Sequence, residues 1–465
     1  MSRYFYELSL SLSLFASFST SCVKQKCELE EFQQEAACQE EKDEPEVTVD
    51  SVRWSITQKD TTNFRFRASD GSSLKGKKFT LSSDGTTASV ELPPLDSEGK
   101  VSVDLLQLSA QLKPGPATIT TDTGKKIPGR LFRRPAFDGL RPTKEITPDL
   151  KRDSKALRRV RSVGLLTYSE GTSPQTKAIV LEKRERTIGT ETVSTLSLSR
   201  YPVHGNDIEN RSSSNNIDNA DMNAYVVDSE MDMLGLSSQR VATIGMASGI
   251  EAGFHVFDLV TSTHGYEQIQ SRRIASLTTD LSGSLYAGIL DGEVKVLLSG
   301  AKGTVQDVSG DSANKERGLV LMGDLNGDGR ADLVSWGKDG ANPAVFLQDS
   351  RQTVSGGAPL FAKAEFGVPP LTPIGPSKNL VAALGDLDED GLPDFLVATS
   401  TTIQVFYNDG KSNVEGNAGT DKAFETQSRV LSVGIEVSSV DNKTGNRIVF
   451  VRDGGGGKTF LHVWK

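Results

Sequence analysis

From Val47 to about Ala136 apolar and polar residues alternate with a period of two, as in SVRWSI, FRFRAS, KKFTLSS, ASVELPP, KVSVDLLQL and PATITTD. Alternation sends successive side chains to opposite faces of a strand, so each segment is expected to bury one face and wet the other. Turn dipeptides such as Asp70-Gly71, Asp84-Gly85 and Pro114-Gly115 punctuate the run. About seven short strands in roughly 90 residues predict an antiparallel, immunoglobulin-like β-sandwich over 47–136. Residues 137–160, with Pro142, Pro148 and the basic cluster Lys151, Arg152, Lys155, Arg158 and Arg159, read as a solvated linker.

Beyond Ser162 the pattern changes from alternation to short, uninterrupted apolar runs. These are AIVLE at 178, RVATIG at 240, LYAGIL at 285, DLVSWG at 332, DFLVAT at 394 and RIVFV at 447. A strand without a polar face must be covered on both sides. Each run is preceded by another apolar strand, among them SVGLLTY, NAYVVD, GLVLMGD and LVAALGD, and most are followed by a third, such as GFHVFDLV, PAVFLQ or TIQVFYN. The units recur every 45 to 62 residues, which suits the blades of a β-propeller. One such hairpin unit cannot bury two faces alone, and closing the units into a ring protects their edges. The expected fold class is therefore all-β: the sandwich, then a propeller over 161–465 with six blades counted. A seventh blade could be assembled from strands within 186–215.

The chain has 465 residues, which suggests about three domains at roughly 150 residues each. Its net charge of −9 argues against a nucleic-acid-binding face, so no nucleic-acid partner is expected. Nearly all of the excess lies between Glu28 and Glu46, where eight Glu and one Asp face a single Lys. That stretch, within 23–46, reads as an acidic tether. Residues 1–22, MSRYFYELSLSLSLFASFSTSC, have a short polar start, an apolar, Ser-rich run and small residues before Cys22, as a secretory signal peptide does. A Cys directly after such a run resembles the bacterial lipoprotein cleavage site, although Ser19 stands where that family usually has Leu. The resemblance implies lipidation at Cys22 and attachment to the outer membrane or cell surface through that lipid anchor alone, the alternative being a periplasmic or secreted protein. Cys27 and Cys38 would then remain as an even pair, able to form a disulfide or to stay as free thiols.

The chemistry concentrates in two loops, GDLNGDGRADLV and GDLDEDGLPDFLV. Oxygen-bearing side chains fall at positions one, three, five and nine: Asp324, Asn326, Asp328 and Asp332, then Asp386, Asp388, Asp390 and Asp394. A calcium ion needs about six to eight oxygens, which a single turn supplies only when alternate side chains converge and a carbonyl joins them. Gly329 and Gly391 fall at position six, where the chain must bend. Arg330 and Leu392 at position seven would offer carbonyls only, with side chains free to vary. Hard oxygen donors favour Ca²⁺ over Mg²⁺ or soft metals. An EF-hand is excluded because its bidentate Glu would fall on Ser335 and Val397.

Both loops closely resemble the FG-GAP or VCBS-type repeat of integrin α-subunit propellers and of many secreted bacterial proteins, whose D-x-[DN]-x-D-G-x-x-D loop joins two strands of a blade. The resemblance implies two calcium sites, built from the eight side chains above and the carbonyls of Arg330 and Leu392. In the second unit Asp228, Glu230 and Asp232 lack the Gly and the final acid, so no ion is expected there.

Enzyme signatures are scarce. The four His form no metal-binding spacing and no GxSxG elbow occurs. The tail RDGGGGKT resembles a phosphate-binding loop but leads into a final strand, where a glycine hairpin fits better. The expected function is an exported, lipid-anchored calcium-binding propeller for cell adhesion or capture of an extracellular protein or glycan. The alternative is an enzyme acting on polysaccharide or another extracellular polymer.

Overall fold

The computed structural model describes residues 45–464 except for short internal segments, of which 217–233 is the longest. Cys22, Cys27, Cys38, the acidic stretch up to residue 44, the NAYVVD strand and Asp228, Glu230 and Asp232 lie outside the described residues. The chain divides into two compact units. The smaller comprises Met1–Glu46 and Ala68–Ser72, and its described part includes the Asp70-Gly71 turn, with Gly71 at φ +72°. The larger, Val47–Arg67 with Ser73–Lys465, carries everything that follows.

Its N-terminal part is a sandwich of two sheets. One holds Val47–Val49, Thr62–Ala68 and Lys100–Val103; the other runs Arg53–Ser55, Lys126–Phe132, Gly115–Thr120, Thr80–Ser83, Ser89–Glu91. The period-two pattern is realised directly, since Phe64 and Phe66 point inward while Asn63 and Arg65 are exposed. Phe64 lies 5.7 Å from the Trp54 ring and Phe66 meets Phe79 edge-on at 4.6 Å. Two details differ from the sequence reading. Arg53–Ser55 pairs with Lys126–Phe132 in parallel, so the sandwich is not wholly antiparallel. The KVSVDLLQL run is not one strand: Asp104 caps the short helix Leu105–Leu108 by accepting from the Leu106 and Gln107 amides at 3.0 and 3.1 Å.

Among the described residues the rest of the unit consists of six groups of antiparallel strands, which are blades of a β-propeller, the first and sixth joined into one nine-stranded sheet. They start with the strands Leu157–Glu170, Leu234–Leu236, Ile274–Thr279, Arg317–Gly323, Ala382–Gly385 and Val430–Ser438. Each of these first strands lies against the first strand of the next sheet, and the last returns to the first through parallel pairing of Leu165 with Glu436. Residues 186–215, where a seventh blade could have been assembled, belong to the first blade. A strand from far upstream is added at the edge of the nine-stranded sheet: Thr143–Glu145, within the stretch read as a linker, pairs with Lys458–Trp464 of the sixth blade.

The apolar runs are the second strands of their blades, and in Asp332–Gly337 and Asp394–Ala398 alternate residues serve opposite neighbours. Leu333 packs toward the third blade with Ile289 and Val296, while Val334 and Trp336 pack toward the fifth with Phe395 and Val397. Leu396 and Ala398 then face the sixth blade with Phe450 and Trp464. Both faces of these strands are core, which is why no polar alternation marks them. Among the described residues no helix is long and apolar enough to cross a membrane.

Candidate metal centre

The two aspartate loops occupy the same place in neighbouring blades. Each joins the first strand to the second, with Gly323 paired to Asp332 in the fourth blade and Gly385 paired to Asp394 in the fifth. Five of their backbone-amide hydrogen bonds recur at equivalent positions, and each loop adds one of its own, the Asp328 amide to Asp324 Oδ1 at 2.9 Å in the first and the Asp388 amide to Asp394 Oδ2 at 3.2 Å in the second. The first-position carboxylate accepts from the sixth-position amide: Gly329 to Asp324 at 2.8 Å, Gly391 to Asp386 at 2.9 Å. Position three accepts from the amide of position five, Asp328 to Asn326 at 3.1 Å and Asp390 to Asp388 at 3.4 Å. Position five accepts from the amide of position seven, Arg330 to Asp328 at 2.9 Å and Leu392 to Asp390 at 2.8 Å.

The ninth position ties each loop to its blade. Asp332 and Asp394, both fully buried, use Oδ2 for the amides of Leu325 (2.9 Å) and Leu387 (2.8 Å), and Oδ1 for the third-strand amides of Gln348 (2.9 Å) and Asn408 (3.0 Å). Position six has positive φ, +82° at Gly329 and +87° at Gly391. So has position four, +76° at Gly327 and +62° at Glu389, which the motif did not reveal because Glu carries no turn signal.

The loops differ in how their acids converge. One carboxylate oxygen each of Asp386, Asp388 and Asp394 lie within 4.8 Å of one another, and among the described residues no other set of three acidic, His or Cys side chains is that close. In the first loop Asp328 is drawn instead toward Arg330, whose guanidinium bonds its Oδ2, and toward the Asn326 amide at 3.0 Å.

Burial pushes the Asp386 carboxyl up to about 8, with the charges of Asp390 and Asp388 adding to the effect. Burial and the neighbouring Asp390 raise Asp388 to about 7 against the opposing pull of Arg53. Asp332 is raised to about 7 by burial, against the backbone amides that it binds. Asp394 is raised well above the ordinary range and Asp390 is raised, both by burial first. A cluster of buried carboxylates that resists full ionisation is what a divalent cation would relieve, and its all-oxygen donor set suits a hard ion.

Two kinds of residue were missed in the sequence. Asn408, at the end of the third strand of the fifth blade, donates from Nδ2 to the Leu325 carbonyl at 2.8 Å and so bridges the two loops. The sandwich also sends arginines into the second loop. Arg53 reaches Asp388 Oδ2 at 2.6 Å and Asp390 Oδ2 at 3.1 Å, and Arg130 donates to the Asp390 carbonyl at 2.7 Å. The Arg133 amide donates to the Asp388 carbonyl at 2.8 Å, and the Arg134 guanidinium lies 4.6 Å over the Tyr407 ring. These contacts span more than 250 residues of sequence, so no local pattern could announce them.

The idea that position-seven side chains are free to vary is corrected. Leu392 is fully buried, so close to Gly410 that a Cβ there would stand 2.8 Å from its Cδ1. Arg330 bonds Asp328 and, through Nε, the Gln348 carbonyl at 3.2 Å. The glycine-rich tail is a hairpin between Lys443–Gly455 and Lys458–Trp464, with Gly455 paired to Lys458. Trp54, Trp336 and Trp464 are core residues.

No protein-family model matches the chain, and no curated protein matches it. Solved structures that resemble it include the β-propeller domain of Myceliophteria thermophila Cps50 (Swd1), at 8% identity over 69% of this chain and 99% of that one, with a TM-score of 0.34. AofleA from Arthrobotrys oligospora is similar at 9% identity over 67% and 88%, TM-score 0.37. An auxiliary nutrient binding protein from Bacteroides thetaiotaomicron is similar at 9% over 90% and 96%, TM-score 0.35. These likenesses are slight, and the fold rests on the strand pairing itself.

Proposed function

We propose that the chain is a calcium-stabilised propeller of the FG-GAP or VCBS type, exported and lipid-anchored through Cys22, that captures an extracellular protein or glycan. One ion would be held by Asp324, Asn326, Asp328, Asp332 and the Arg330 carbonyl. The other would be held by Asp386, Asp388, Asp390, Asp394 and the Leu392 carbonyl. The observation that carries this reading is the recurrence of the position-six and position-nine hydrogen bonds in both loops, with the carboxylates of Asp386, Asp388 and Asp394 converging in the second. The two loops differ at spacer positions four, seven and eight, yet the oxygens at positions one, three, five and nine meet equivalent amides in each.

The ion's role is structural: it would offset the mutual repulsion of buried acids and fix the first-to-second strand connection of two adjacent blades. At free calcium 100 times the dissociation constant it would stabilise the fold by about 2.7 kcal/mol per site. The ring leaves its loop-lined face to the ligand. The test is thermal melting with calcium and with chelator. Chelation is expected to lower the melting temperature of the unaltered chain and to leave a double variant, Asp328→Ala with Asp390→Ala, unmoved. Coincident curves for the unaltered chain would refute a structural ion.

A further inference from the structure

The second loop already has a cation, and it comes from the sandwich. Asp388 and Asp390 each turn Oδ1 to an amide of their own loop, the Asp390 and Leu392 N–H groups. Their Oδ2 atoms are the oxygens not spent on holding the loop's shape, and both face Arg53 Nη2, at 2.6 and 3.1 Å. All three side chains are removed from water, Arg53 at 6% exposure and both carboxylates at 0%. The guanidinium is held from behind by the Phe132 ring, 5.1 Å from its carbon. In the first loop the equivalent oxygen, Asp328 Oδ2, is met only from within the loop, by Arg330 and Asn326, at a partly exposed position.

We infer that Arg53 and a divalent cation are alternative occupants of the second loop, so that calcium entering there expels Arg53 and loosens the sandwich from the propeller. The inference rests on the calcium reading above and adds a regulatory consequence to one of its two sites. A cation that takes both Asp388 and Asp390 as ligands must approach the oxygens that Arg53 holds, because their partners are committed to backbone amides. The dock is built around the same loop. Arg130 is the cross-strand partner of Arg53 in the parallel pair and grips the Asp390 carbonyl, while the Arg133 amide grips the Asp388 carbonyl. Losing Arg53 therefore removes the buried ion pair from the contact and leaves the Arg130 guanidinium and Arg133 amide bonds to the loop carbonyls, with Arg134 over Tyr407. In the first loop the arginine on the equivalent oxygen, Arg330, belongs to the loop itself and is partly exposed, so a cation entering there displaces no contact with the sandwich.

The experiment is calcium titration by calorimetry on the full-length chain in the Asp328→Ala background, which reports the second loop alone, with and without Arg53→Ala. Arg53→Ala is expected to tighten calcium binding at least tenfold. Unchanged or weakened binding, with calcium still bound, would overturn the competition and leave the calcium reading standing. Absence of calcium binding to the unaltered chain and to both variants would overturn the calcium reading and this inference together. A second measurement needs no variant of Arg53: amide hydrogen exchange of the unaltered chain with calcium added. Exchange at the Arg133 amide is expected to speed up, and slowed or unchanged exchange there would contradict the displacement.

Discussion

Asp332 and Asp394 explain why a nine-residue spacing is so legible. Each is sealed in the core with one oxygen on loop amides and the other on a third-strand amide, which fixes the end of the loop relative to its start. The side chains at positions one, three and five, and the glycines at position six, could likewise be read from spacing, since each has a local partner. What could not be read was the left-handed backbone of Glu389, the packing of Leu392 and the arginines that arrive from elsewhere. Burial has a measurable cost at this scale. Asp332, Asp386 and Asp388, raised to about 7, 8 and 7, hold their protons more firmly folded than unfolded. Their favourable contribution is full below the unfolded carboxylate pKa, about 4, and is lost as pH rises through about 7 to 8. In chelator the chain should therefore melt higher at pH 5.5 than at pH 8; a reversed order would contradict this environment for the three groups.

At the scale of elements, the second strands of the fourth and fifth blades stood out because both their faces are core, their side chains divided between the neighbouring blades. Elements shaped by distant partners left no mark. Thr143–Glu145 is three residues long and pairs with residues more than 300 positions away, and the helix Leu105–Leu108 hides inside an alternating run until the Asp104 cap is recognised. The two metal loops are also coupled as elements. Asn408 takes its position from Asp394 and fills the hydrogen-bonding need of the Leu325 carbonyl in the adjoining blade. Asn408→Ala leaves that carbonyl buried without its donor. It should cost about 1–3 kcal/mol, read as a lower denaturant midpoint in calcium-free buffer, and an unchanged midpoint would show that the bridge is not needed.

For the molecule as a whole, the sandwich and the ring were legible as two kinds of β structure because their hydrophobic patterns differ, alternating in one and continuous in the other. Their joining was not legible, since it depends on Arg53, Arg130 and Arg133 meeting a loop, and Arg134 a strand residue, Tyr407, encoded in the last quarter of the chain. That contact also makes the two aspartate loops unequal despite their shared hydrogen bonding. The most direct test of the account is to count calcium bound per full-length chain by equilibrium dialysis at saturating calcium. The account predicts two ions for the unaltered chain, one for Asp328→Ala and none once Asp390→Ala is added. A chain that stays metal-free in millimolar calcium, or binds equally well with both aspartates replaced, would contradict it.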